Sequence, residues 1–331
     1  MRSVVLAAYL NSERRRRFAA TANSLFVDAT EALAVVRDRV TLDNVFRGDI
    51  NDLLVAAAPP TQYLRDYTGL LVADTVLRSD YDADGNALGI LIEGARTNRI
   101  VQSENLTLWP GTAGTLDAAI ADPTGATGTV CYGSSPETLR PYDGENASTA
   151  AFSFFTKARS GGGGDAQIFQ FYQSTGGGDG VILLGSYTFA YTGANADTAI
   201  VKDVERETWL DGWYRFKCRL VANAGAGSGV LNSTARIDLE GGTYRNYVWG
   251  VQIEPGYSTA SSYIPTHAAA ATRVISDIKL PLASFPYRDG DGVLLINGDV
   301  VTPVISGSDL DIAGTCIAEG VSHLKTLKWT V

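Results

Sequence analysis

The chain has two histidines, one methionine and three cysteines in 331 residues, and each scarcity closes a class of chemistry. His267 and His323 lie far apart in sequence, so a histidine-rich metal site is excluded, and a Ser-His-Asp triad would have to use one of these two. Cys131, Cys218 and Cys316 are odd in number and widely spaced. No Cys-x-x-Cys pair and no Cys/His spacing for zinc is present, so they read as buried reduced thiols. No run of about 18 apolar residues occurs, which leaves no helical membrane span. Positive charge is short as well. Lys and Arg number 27 against 36 Asp and Glu, a net charge of −9, which opposes gripping nucleic acid or any polyanion through charge alone.

What is present is glycine, 35 of them, within a chain that is 45% apolar. The glycines cluster with Ser, Thr, Asn and Asp between short apolar runs, the punctuation of a many-stranded β protein rather than of disorder. The length predicts about two or three domains. Met1–Leu10 imitates a weak signal peptide, but the charge of Arg14–Arg17 follows its short apolar run instead of preceding it, so the segment reads as an ordered strand or an assembly arm. From Glu13 to Val40 the apolar spacing fits a helix, while pieces such as Ser24–Asp28 fit a strand equally well. Arg14–Arg17 reads as a docking patch for an acidic subunit or as one solvated helix face. Ala56-Ala-Ala-Pro-Pro-Thr61 reads as a linker.

Beyond Tyr67 the pattern turns to β. Apolar runs recur over 128–132, 149–158, 166–173, 181–188, 198–204, 212–221, 235–239 and 244–254, with alternation clear in Ala150–Lys157 and Trp213–Val221. About eight strands with turn signals every 8–20 residues predict a jelly-roll-type β-sandwich, mainly β in class. The organisation predicted is an N-terminal attachment or assembly segment (1–66), a β-sandwich fibre or spike domain (67–277) and a small C-terminal β extension (278–331). Pro281 and Pro303 confine two strands of the extension to edges or ends.

Few residues point to chemistry. Ser79-Asp-Tyr-Asp-Ala-Asp-Gly85 has the alternate carboxylates of a calcium loop, but the twelfth position is Leu91 where a bidentate Glu is required, so it reads as a β-turn before a strand. Glu93 and Glu254 stand in apolar strand contexts. Two carboxylates are what a glycosidase needs, yet buried hydrogen-bonded carboxylates that fix turns fit better, with Arg96, Thr97 and Asn98 as donors for Glu93. No catalytic residue, metal site or cofactor is predicted. Trp213 and Trp249 read as core. Tyr172, Tyr187, Tyr191 and Tyr257 fall in loops and are the candidates for stacking on a ligand.

Two blocks carry a family resemblance: Leu88-Gly-Ile-Leu-Ile-Glu-Gly-Ala-Arg-Thr-Asn-Arg99, and Tyr247-Val-Trp-Gly-Val-Gln-Ile-Glu-Pro-Gly-Tyr-Ser-Thr-Ala-Ser-Ser-Tyr-Ile-Pro-Thr266. With Trp109, Asp122-Pro-Thr-Gly-Ala126, Phe155–Ala158, Trp213–Arg215 and Ala271–Asp277 in order between and after them, residues 67–277 resemble carbohydrate-binding jelly rolls on head spikes and tail fibres of phages and gene transfer agents. The matching signature residues are Glu93, Arg96, Thr97, Asn98, Trp213, Trp249, Gln252, Glu254 and Tyr263, with Arg99 where the family usually has an apolar residue. The resemblance implies a non-enzymatic virion surface protein, made in the bacterial cytoplasm, that promotes adsorption to host surface polysaccharide. Its implied partners are other virion proteins (capsid, tail or a second spike protein) and copies of itself, as a trimer or as a pentamer at a vertex, with no nucleic acid and no membrane insertion. A spike base or adaptor that anchors another fibre without binding glycan is the alternative, and a polysaccharide depolymerase the second.

Overall fold

From Thr149 to Ala158 the side chains alternate, Ala150, Phe152 and Phe154 to one side and Ser153 and Phe155 to the other. This strand lies inside a six-stranded antiparallel sheet. The computed structural model describes side chains for residues 63–73, 80–109, 115–132, 147–159, 201–221, 246–274, 278–279 and 294–324, and the backbone of further short strands. The chain is mainly β, with several antiparallel sheets, as a β-sandwich requires. Among the described residues no helix is long and apolar enough to cross a membrane.

Two compact units divide the chain, one formed by Thr61–Ala73 with Ala95–Arg273, the other by Met1–Pro60, Asp74–Gly94 and Val274–Val331. In the first, the strands of the six-stranded sheet run in the order Thr115–Leu116, Cys131–Tyr132, Asn246–Pro255, Thr149–Ala158, Trp213–Val221 and Ile200–Thr208. A four-stranded sheet follows the order Glu137–Leu139, Ile237–Glu240, Ile168–Phe171, Val181–Leu183. Number the eight strands along the chain from Cys131–Tyr132 to Asn246–Pro255, omitting the edge strand Ile200–Thr208. One sheet then reads 1-8-3-6 and the other 2-7-4-5, so the chain crosses between sheets at every step except the hairpin from 4 to 5. The strands predicted from alternation are found close to where the pattern put them. The short strand Glu137–Leu139, too brief to show a period, is the one that alternation missed.

Both faces of the six-stranded sheet are covered. Phe152, Phe154, Phe216, Cys218, Val251 and Ile253 join Ile100, Leu106 and Trp109 in one cluster; Phe155, Trp209, Trp213, Tyr247, Trp249 and Tyr263 form another. A β-bulge sets which side chain goes where. Phe155 pairs with Trp249 and Ser153 with Gln252, so Gly250 and Val251 together oppose Phe154. Gly250 takes φ +62, and a Cβ there would stand 2.9 Å from Phe155 Cδ2, which makes the position glycine-specific. The extra residue puts Trp249, Gln252 and Glu254 on the side of Ser153 and Phe155.

In the second unit the two ends of the chain share a sheet. Its order is Asp299–Val301, Val293–Ile296, Thr326–Thr330, Leu25–Asp28, Ala34–Arg37, Gly48–Asp49. The N-terminal segment and the C-terminal extension, separate pieces on the sequence reading, thus contribute to one structure, because open strand edges find partners without regard to separation along the chain. Pro281 ends one strand, and Pro303 stands in the break between Asp299–Val301 and Val304–Ser306. The helix Ile312–Ala318 was not predicted. It is capped by Asp311, which accepts from Gly314 N at 2.8 Å. Arg14–Arg17 lie outside the described residues.

Candidate functional site

The local rule that shapes the loops is a repeated Asp-x-x-Gly turn. Asp66-Tyr-Thr-Gly-Leu70, Asp82-Ala-Asp-Gly-Asn86 and Asp122-Pro-Thr-Gly-Ala126 fold alike. In each, the aspartate Oδ1 accepts the backbone N–H two and four residues on: 2.8 and 3.0 Å at Asp66, 2.9 and 2.8 Å at Asp82, 2.8 and 3.2 Å at Asp122. The glycine of each has positive φ, +91, +79 and +85 in turn. The calcium-loop candidate Ser79–Gly85 is therefore a hairpin, its Asp82 carboxylate engaged by Asp84 and Asn86. Among the described residues no cluster of His, Cys, Asp and Glu could hold a metal ion.

The two signature blocks meet within the first unit, where Ala271–Arg273 pairs with Arg96–Asn98. Asn98 is the hub of this seam. Its Oδ1 accepts from Ile100 N and Ile253 N, each at 3.1 Å, and its Nδ2 donates to Val251 O at 3.3 Å and Ile264 O at 2.9 Å. All four bonds open to an asparagine side chain are made. Arg99 N donates to Ile253 O at 3.0 Å, so its side chain departs from the family pattern while its backbone stays in the seam. Thr97 Oγ1 meets Thr272 Oγ1 at 2.8 Å.

Over the sheet, the segment 261–266 is held by buried polar groups. Glu254, wholly buried, accepts from Ser261 N at 2.9 Å through one oxygen and from Ser261 Oγ through the other. Gln252 Oε1 accepts from Ile264 N at 2.7 Å, and its Nε2 donates to Ser262 O at 3.2 Å. Arg215, also buried, donates to Ser153 Oγ at 3.0 Å and Ser261 O at 2.7 Å. Tyr263 OH stands 2.7 Å from Ser103 Oγ and donates to Glu104 Oε1 at 3.4 Å. Burial, reinforced by the nearby Glu104 charge, pushes the Tyr263 hydroxyl well above its ordinary range. Burial likewise raises the Glu104 carboxyl; His267 pulls it back, Asp122 adds to the rise, and the Tyr263 hydrogen bond again opposes it.

Glu93 is half-buried, where Glu254 is fully so. The donors expected for Glu93 have other partners: Asn98 and Thr97 as above, and Arg96 with its guanidinium 3.5 Å over the Tyr257 ring. Trp213 and Trp249 are both core, Trp213 donating to Ala121 O at 3.0 Å. The three cysteines are free buried thiols; burial pushes Cys316 up to about 12 and Cys218 higher still.

Of the four candidate ligand tyrosines, Tyr172, Tyr187 and Tyr191 lie outside the described residues. Tyr257 has one ring face covered by Arg96 and its hydroxyl bonded to Ala95 O at 3.1 Å. Sequence reasoning passed over Tyr67, the most exposed aromatic among the described residues at 72%. The signal was its place as the second residue of an Asp-x-x-Gly turn, a position that faces solvent. No family model matches the chain, and no curated protein matches it significantly.

Proposed function

We propose that this chain is a virion surface protein, a head spike or tail fibre subunit of a phage or gene transfer agent, and that it promotes adsorption to polysaccharide on the host surface. The observation that carries the reading is the seam: the two blocks that bear the family resemblance lie about 150 residues apart and meet on one sheet, where Asn98 alone bonds to 251, 253 and 264. A jelly-roll winding is supported by the 1-8-3-6 and 2-7-4-5 strand orders, since the two Greek keys of that fold pass the chain from sheet to sheet in this way. The polar side chains of the seam go into holding loops still, which is what a binding protein needs from its scaffold. The depolymerase alternative draws nothing from Glu254, whose two oxygens are buried and bonded. Weak sites multiplied over a homo-oligomer would gain avidity of about 10²–10⁴.

A second reading, a spike base or adaptor, is favoured by one observation. The chain ends build a unit of their own, a second body on which another virion protein could sit. Fluorescently labelled protein applied to intact host cells, and to cells stripped of capsule or lipopolysaccharide, tests the two. Binding lost on stripping is the expected result. A folded oligomer that binds purified capsids and no cells would replace adsorption with the adaptor role.

A further inference from the structure

Three loop tips come together at one end of the first unit. A Cβ on Gly69 would stand 3.4 Å from Leu210 Cβ, and one on Gly125 would stand 3.7 Å from Leu70 Cδ2. Leu71 N donates to Pro123 O at 2.9 Å, tying the first tip to the second. The third tip, 209–212, is anchored from beneath: Arg65 donates to Thr208 O at 2.7 Å and lies 3.9 Å over the Trp209 ring. On this braced surface stand Tyr67, 72% exposed, and Leu210, 40% exposed, with Asp211 exposed beside them.

The turn does not ask for Tyr67. Its two sister turns carry Ala83 and Pro123 at the same position and fold alike. A large apolar ring displayed where alanine or proline serves equally well costs solvation and adds nothing to the core, so its use lies at the surface. We infer that Tyr67 and Leu210, flanked by Asp211, form a docking site for a hexose ring of an uncharged polysaccharide; this inference rests on the adsorption reading above.

Size and charge choose that ligand. One phenol ring and one leucine side chain match a pyranose face and fall far short of the roughly 800 Å² per partner of a stable protein interface. The flanking carboxylate accepts hydrogen bonds from sugar hydroxyls and repels a polyanion, in step with the net charge of −9. A tyrosine on a tip locked by Asp66 has little conformational freedom to lose on binding.

The test is affinity electrophoresis of the full chain in native gels containing dextran, mannan or galactan, with hyaluronan as the acidic contrast. The wild type is expected to be retarded by at least one uncharged polymer and not by hyaluronan. Tyr67→Ala is expected to lose about tenfold or more in affinity, the share of an aromatic anchor, with an unchanged Tm, while Tyr67→Trp stays close to wild type and Leu210→Ser loses a few-fold. Retardation of Tyr67→Ala equal to wild type, preference for hyaluronan, or no retardation in any uncharged polymer overturns the site. The cell-binding assay separates the two levels. If wild type and Tyr67→Ala coat cells equally, the site falls and adsorption stands; if the wild type coats no cells and no gel retards it, both fall.

Discussion

The two faces of the Thr149–Ala158 and Asn246–Pro255 strands are built on different physics. On one, Phe152, Phe154, Phe216 and Ile253 are buried among apolar neighbours, with Phe154 stacked on Phe216 at 5.6 Å. Burial there is non-directional and tolerates repacking. On the other, Ser153, Arg215, Gln252 and Glu254 hold the 261–266 segment through bonds of defined length and angle. Such a network adds little net stability per bond, but leaving one member unpaired is costly. The apolar face keeps the sheet together; the polar face decides where the loop above it lies.

That contrast can be broken at several points. Phe154→Ala should cost about 3–5 kcal/mol in urea unfolding, as a large cavity in an apolar core does, with the 261–266 amides keeping their relative protection from hydrogen exchange. Gly250→Ala removes the glycine that lets the bulge form; the backbone conformation and the clash with Phe155 together should cost about 2–4 kcal/mol. Near-ultraviolet circular dichroism should change with it, since Trp249 is carried by the same bulge. Glu254→Ala leaves Ser261 N unpaired and should cost about 1–3 kcal/mol. Its mark is selective: faster exchange at Ser261 and Ile264, with the apolar face unaffected. Equal exchange gains on both faces would refute the division.

The smallest effect is one of pH. The Glu104 carboxyl is raised in the folded state, first by burial, so folding favours its protonated form. The stability this gives is fully present below the ordinary glutamate range and is lost as pH rises through the raised value. Glu104→Gln should therefore match wild-type stability in acid and exceed it at neutral pH, read as Tm across a pH series. A gap of constant size at every pH would assign the residue a purely steric role.

Much of this was legible in the residues. Alternation located the strands 149–158 and 213–221 because each has one face that avoids water. The second signature block announced a buried carboxylate, and Glu254 is one. Glu93 has the same look in sequence and is only half-buried, since burial depends on what covers a strand. The Asp-x-x-Gly turn at 82–86 and a calcium loop share their carboxylates and glycine, and hydrogen bonds from Asp84 and Asn86 to Asp82 separate them. The helix Ile312–Ala318 is one seven-residue stretch with a glycine and a threonine inside it, too short to show a helical period; its cap, Asp311, was the available sign.

By itself the sequence determined what is local: which segments are extended, through a period of two, and which turns are tight, through aspartate and glycine placed three apart. Only the tertiary structure decided what is not local. It set the sheet each strand joined, the meeting of residues 98 and 251–264 at one seam, the single sheet shared by both chain ends, and the exposure of Tyr67 beside Leu210. The reason is that backbone preference acts over a few residues, whereas strand edges and apolar faces take partners from anywhere along the chain, and only closure of the whole selects among them.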